Sequence, residues 1–200
     1  MKLNNKILKA LYEAKNLNEE QTLNIPSNWK LNKDGSYDVD GNVYLDKSFV
    51  DSNGKLKVKF NKVKFRFDCF AIGLKSLEGC PKEVGSDFDC EDNEVTSLEG
   101  GPSKVYGMYN CSWNKLTNLE GSASTVGSFD CSHNELTSLK GAPKTVKRDF
   151  NCSYNKTLKS LEGCPKKVGE DFIAYISDYD RVFSEDEIAK VCKVGGEILE

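Results

Sequence analysis

The sequence predicts an α/β repeat solenoid, with one curved parallel β-sheet, a mostly non-helical convex side and a short helix near each end. Three observations predict it. Five cysteines, Cys69, Cys90, Cys111, Cys131 and Cys152, recur at intervals of 21, 21, 20 and 21 residues. The same wording surrounds each, most clearly in Phe88-Asp-Cys-Glu-Asp-Asn-Glu-Val-Thr-Ser-Leu-Glu-Gly-Gly-Pro-Ser-Lys-Val105. The chain of 200 residues is also only 38% apolar, with a mean hydropathy of −0.54. That is lean for one round core, yet enough for a thin core shared by stacked units.

Residues 1–34 read as an N-terminal helix and connector. Leu3, Ile7, Ala10, Leu11, Ala14 and Leu17 fall on one helical stripe, away from Lys2, Lys6 and Lys9. A helix capping the solenoid is the expected role, and a membrane-surface or nucleic-acid arm is the alternative. Charge near the start leaves no apolar stretch for a signal peptide, and no run of about 18 apolar residues spans a membrane. Residues 35–62 are expected to supply capping strands. Val43-Tyr-Leu45 continues the array pattern in weakened form.

Residues 63–174 hold five repeats and a half repeat, Phe172-Ile-Ala174. In each, aromatic and Cys lie two apart, so an extended strand points both to one face and the residue between them to the other. Asn93, Asn114, Asn134 and Asn155 are placed to bond backbone groups as the chain leaves the strand, one stacked on the next. Leu98, Leu119, Leu139 and Leu161 fill the interior, and the Gly-x-Pro corner with its following Val turns the chain back. Repeat-related cysteines form a column of small buried apolar groups. Such a column is prone to cross-linking under oxidation, which predicts a reducing cytoplasm. No C-x-x-C pair suggests zinc.

Residues 175–200 read as a C-terminal cap. Ser184-Glu-Asp-Glu187 is a capping box opening a short helix. Ile188, Val191 and Cys192 are placed to cover the last strand, Gly195-Gly196 to end the helix, and Ile198-Leu199 to add a small strand.

The pattern Phe-x-Cys-x-x-Asn-x-Leu-x-x-Leu resembles the leucine-rich repeat, with Phe and Cys in place of two leucines. A period of 20 to 21 and a Pro corner instead of a helix look like the short bacterial subclass. The wording Asn-Lys-Leu-Thr-Asn-Leu-Glu-Gly also resembles repeats of bacteriophage and bacterial proteins. The resemblance implies a leucine-rich-repeat horseshoe serving as an interaction scaffold, and host cytoplasm if the chain is phage-encoded. It covers about residues 63–174.

No catalytic constellation is legible. His133 is the one histidine, and no Ser/His/Asp or Cys/His set, phosphate loop or dinucleotide fingerprint stands out. No cofactor or metal is expected, and no enzyme activity. The balance of 28 basic and 31 acidic residues excludes a chain-wide polybasic binder of nucleic acid or membrane.

Binding candidates come instead from columns of equivalent positions. The outward position between aromatic and Cys reads Asp68, Asp89, Asn110, Asp130, Asn151, and Asp87, Glu91 and Asp92 lie around Asp89. Seven acids and no base fall between Glu83 and Glu99, and eight bases with two acids between Lys140 and Lys167. These are either a solvated face or an acidic patch steering a basic partner. The position before the Asn reads Ala71, Asp92, Trp113, His133, Tyr154. Its three rings either cover one rim or anchor a partner there. The expected function is non-enzymatic protein binding through the concave face and rim, as a bacteriophage accessory or counter-defence protein. A structural virion or assembly component that docks or self-associates is the alternative, and nucleic-acid stacking a lesser one.

Overall fold

A computed structural model describes residues 25–175 and 183–200. The helix expected over the first seventeen residues lies outside them. The described residues form a parallel β-solenoid of about seven turns with very little helix among them. Every turn carries two short strands joined by a tight corner, so two rows of strands build up along the molecule.

The front row is an eight-stranded sheet that runs from Val43–Tyr44 through Phe67–Asp68, Phe88–Asp89, Met108–Asn110, Ser128–Asp130, Phe150–Asn151 and Phe172–Ile173 to Ile198–Leu199. All its pairings are parallel, and those from Phe67 to Phe172 place one repeat aromatic on the next, as in Phe88↔Tyr109 and Phe129↔Phe150. The aromatics point inward and form an unbroken buried column, with ring centroids 5.8 Å apart for Phe67–Phe88 and 4.9 Å for Phe88–Tyr109. The cysteines two residues later form a second inner column. Cys69, Cys90, Cys111 and Cys131 each donate their thiol to a main-chain carbonyl of the next turn at 3.1 to 3.3 Å. Burial pushes these four thiols well above the ordinary range. They act as neutral packing groups.

A second row of strands departs from the single-sheet expectation. The residue before each Val and the Val itself, at Glu83–Val84, Lys104–Val105, Thr125–Val126, Thr145–Val146, Lys167–Val168 and Lys193–Val194, are extended and pair in parallel too. Pro81, Pro102, Pro143 and Pro165 sit in the corner just upstream of four of these segments, Ala123 takes that place before Thr125–Val126, and the β-branched Val of all but the last segment is buried. This row forms a five-stranded and a four-stranded sheet. The break follows Lys104–Val105, next to the turn whose corner is one residue short. Val126 to Phe129 is three steps where Val105 to Tyr109 is four.

The buried asparagines tie turns together. Nδ2 of Asn114 donates to the carbonyls of Cys90 and Cys111 at 2.9 and 3.3 Å, and its Oδ1 accepts from the Val95 N–H at 2.9 Å. Asn93, Asn134 and Asn155 repeat the arrangement. Between the second Leu and the Pro corner the chain requires glycine. Gly141 has φ +90°, and a Cβ there would lie 2.3 Å from the Glu120 nitrogen.

Both ends are finished by local structure. Trp29–Leu31 pairs antiparallel with Ser36–Val39, and Trp29 packs edge-on against Phe60 at 4.9 Å. At the other end Ser184 and Glu187 form the expected capping box on helix Glu185–Ala189. Ile188 and Cys192 are buried as expected, whereas Val191 is exposed. The helix ends at Lys190, ahead of Gly195 and Gly196, which instead turn the corner into the last strand, Ile198–Leu199. Among the described residues no helix is long and apolar enough to cross a membrane.

Candidate functional site

The ring-bearing positions are created by a backbone feature that periodicity does not reveal. Ala71, Asp92, Trp113, His133 and Tyr154 all have left-handed backbone, with φ between 52° and 56°. A residue with a Cβ loses roughly 1–2 kcal/mol in this region, so the surroundings must impose it. Two neighbours do so. On the strand side, the outward Asp or Asn caps the N–H two residues on, as Asp130 Oδ1 does for the Ser132 N–H at 2.9 Å and the Ser132 hydroxyl at 2.6 Å. On the loop side stands the buried Asn, bonded to both turns. The bend is therefore fixed by its neighbours, and the side chain at its apex is left to face outward.

Three successive apices carry rings, and the rings stack. Trp113 and His133 have centroids 3.9 Å apart with planes 10° from parallel, and His133 and Tyr154 follow at 4.3 Å and 14°. Trp113, at the end of the stack, remains 53% exposed. Burial between two rings lowers the His133 pKa, against the opposing pull of Asp130 and Glu91. Asp92 occupies the apex one turn before Trp113. It is exposed, and its N–H donates to the Ser112 carbonyl at 3.2 Å. Among the described residues no ion pair engages its carboxylate. The exposed indole and a free carboxylate are therefore neighbours in one column.

The outward column of the front sheet is in register, Asp68↔Asp89↔Asn110↔Asp130↔Asn151. Alternation of acid and amide relieves repulsion, since Asn151 Nδ2 donates to Asp130 Oδ2 at 3.0 Å and Asn110 Nδ2 to Glu91 Oε2 at 2.8 Å. One important partner was not singled out from the sequence. The Arg66 guanidinium lies 3.0 Å from Asp68, 2.5 Å from Asp89 and 3.7 Å from Asp87. Burial raises the Asp89 pKa, and Arg66 pulls it back down.

The division of charge along the chain is therefore altered in space. Neighbouring turns supply counter-ions to the acidic run, with Lys62 at 2.7 Å from Glu83 and Lys115 at 3.1 Å from Glu94. Charge divides by face instead. The front-sheet column holds acids and amides, while the equivalent column of the second row reads Lys62, Glu83, Lys104, Thr125, Thr145, Lys167 and Lys193, a lysine excess interrupted by one acid. Of the predicted site residues, the structure gathers Trp113, His133 and Tyr154 in one stack with Asp92 at its end. Asp68, Asp87 and Asp89 gather around Arg66, and Asn110, Asp130 and Asn151 serve mainly to cap the strand ends.

No protein-family model, curated protein or solved structure matches the chain. Among the described residues no group of three or more His, Cys, Asp or Glu is arranged to hold a metal ion.

Proposed function

We propose that the protein is a non-enzymatic binding module that holds a protein partner on the front-sheet rim, with the coil built as a short leucine-rich repeat. One observation carries this reading, the stack of Trp113, His133 and Tyr154 with its terminal indole exposed. Rings at left-handed apices are costly to place, and exposed Trp and Tyr concentrate binding energy when a partner covers them. The carboxylate of Asp92, one apex before Trp113, and that of Glu91, whose charge acts on His133, favour a basic partner, whose guanidinium or ammonium group would lie on the indole face with an acid next to it. The resemblance of the repeat wording supports a bacteriophage accessory or counter-defence role.

The test is an affinity pull-down from bacterial lysate with the wild type and a Trp113→Ala, Tyr154→Ala double variant, after circular dichroism shows both equally folded. A protein recovered by the wild type and lost with the variant is the expected result. Equal recovery by both would sink the assignment of the face.

A second reading is favoured by the opposite charge of the two strand rows. An acidic face and a lysine-bearing face on one molecule suit end-on or lateral docking of copies in an assembly. It predicts oligomers in size-exclusion chromatography that dissociate as salt rises. Nucleic-acid stacking on the rings is disfavoured by the carboxylates beside them.

A further inference from the structure

Resting on the rim reading above, we infer that the outer face of Trp113 takes an arginine side chain of the partner. Its guanidinium stacks on the indole as the next member of the ring column and donates N–H groups to the Asp92 carboxylate. Three features of the column define this slot. His133 covers one face of the indole at 3.9 Å, and among the described residues no second ring and no cation lies over the other. The apices that precede Trp113 are Asp92 and then Ala71, so the chain supplies no ring of its own to continue the stack. The Asn93 N–H donates to the Trp113 carbonyl at 3.2 Å and the Ala71 N–H to the Glu91 carbonyl at 3.0 Å, which places the three apices on successive turns.

The shape of the slot calls for a flat group. The rings repeat at 3.9 and 4.3 Å, closer than the roughly 4.8 Å rise between turns, so the column is one of planes in contact. A guanidinium is planar, weakly hydrated and stacks well on an indole. An ammonium group is a compact, strongly hydrated charge that gives up more water to reach the same place.

The charge of the slot calls for a cation that carries N–H donors. Asp92 is exposed, and among the described residues no ion pair engages it. Its acidic neighbours are already engaged, since Glu91 accepts from the Asn110 amide at 2.8 Å and Glu94 pairs with Lys115 at 3.1 Å. Asp92 is therefore the carboxylate left for a partner, and one edge of a guanidinium can serve both of its oxygens. Phe70, just before the Ala71 apex, is exposed and offers apolar contact to the residues that flank the arginine.

A lysine in the slot keeps the charge and loses the stack, whereas citrulline keeps the flat shape and loses the charge. The test uses both. Indole N–H signals of the isotope-labelled full chain are followed by NMR as a capped Gly-Arg-Gly peptide is added, then its lysine and citrulline counterparts, then guanosine. The chain has two tryptophans, and Trp29 is buried, so the Trp113 signal reports on the slot and the Trp29 signal on the fold. The expected result is a saturable shift of the Trp113 signal with the arginine peptide, a several-fold weaker response to lysine and no saturable response to citrulline.

Asp92→Asn should fold as the wild type does, because Asn suits left-handed backbone. It should weaken the arginine peptide about threefold to tenfold, the effect of losing one charge-assisted pair at an exposed site. Glu94→Gln should leave the affinity unchanged. Equal affinity for the arginine and lysine peptides, tighter binding of guanosine than of arginine, or equal losses in Asp92→Asn and Glu94→Gln would overturn the arginine assignment and leave the rim itself to the pull-down. A Trp113 signal that no probe moves would overturn it as well.

Discussion

The indole of Trp113 and the imidazole of His133 lie face to face, 3.9 Å between centroids and 10° from parallel, from apices one turn apart. Turns of a parallel sheet repeat about every 4.8 Å, so the rings close more than the backbone does. The side chains lean together, and the second contact to Tyr154 at 4.3 Å continues the column. Tertiary packing of the rings returns part of the conformational cost at these apices.

The stack should respond to acid. Burial lowers the His133 pKa in the folded protein, so folding favours the neutral imidazole. The corresponding stability is fully present above the ordinary histidine pKa of about 6.5 and is lost as pH falls from there through the lowered folded value. Thermal melts of the wild type and His133→Phe between pH 7.5 and 5 check this. The variant should lose less stability than the wild type over that window, and identical pH profiles would remove His133 as the titrating group.

Asn114→Ala should be among the most damaging polar substitutions. It strips the Val95 N–H of its partner and removes one of the two amide donors to each of the Cys90 and Cys111 carbonyls, which keep Asn93 and Asn134. A buried group left unmatched costs about 1–3 kcal/mol, so a loss in that range is expected in urea unfolding. The exposed Lys115→Ala, which breaks only the surface pair with Glu94, should change stability by less than about 1 kcal/mol.

Arg66→Ala should weaken the protein chiefly at neutral pH. Burial raises the Asp89 pKa, and the Glu91 N–H and then the Arg66 charge oppose this. Without it, the raised folded pKa means that stability is retained at low pH, where the carboxyl is protonated, and falls as pH rises through that value. A loss of about 1–3 kcal/mol at pH 7, the range for a charged hydrogen bond broken on one side, should shrink toward zero near pH 3.5. Denaturant melts at the two values decide it, and an equal loss at both would contradict the role given to Arg66.

Much of this molecule is written in the spacing of its residues. Phe two before Cys specifies an inward pair on a strand, and the recurring Asn specifies a buried bracket between turns, because both depend on neighbours in sequence and on one repeat period. The three-ring column follows from the same arithmetic, since Trp113, His133 and Tyr154 share a repeat position. Charge was harder to read along the chain because its partners lie a full turn away. Arg66 and Asp87 are 21 residues apart, as are Lys62 and Glu83, and folding the sequence on its own period would have paired them. The second row of strands was missed because two-residue segments such as Glu83–Val84 are too short to show alternation. The left-handed apex was hidden for another reason. Trp and Tyr are poor indicators of a conformation that, among residues with a Cβ, favours Asn, Asp and His.

That apex has a consequence for how such a surface changes. The bend is held by the strand-end Asp or Asn and by the buried Asn, while the apical residue is Ala71, Asp92, Trp113, His133 or Tyr154 over one backbone shape. Fold and specificity are thus encoded in separate letters of the same repeat. A lineage can rewrite the apical letters turn by turn, exchanging one target for another, while the spelling that makes the solenoid stays untouched.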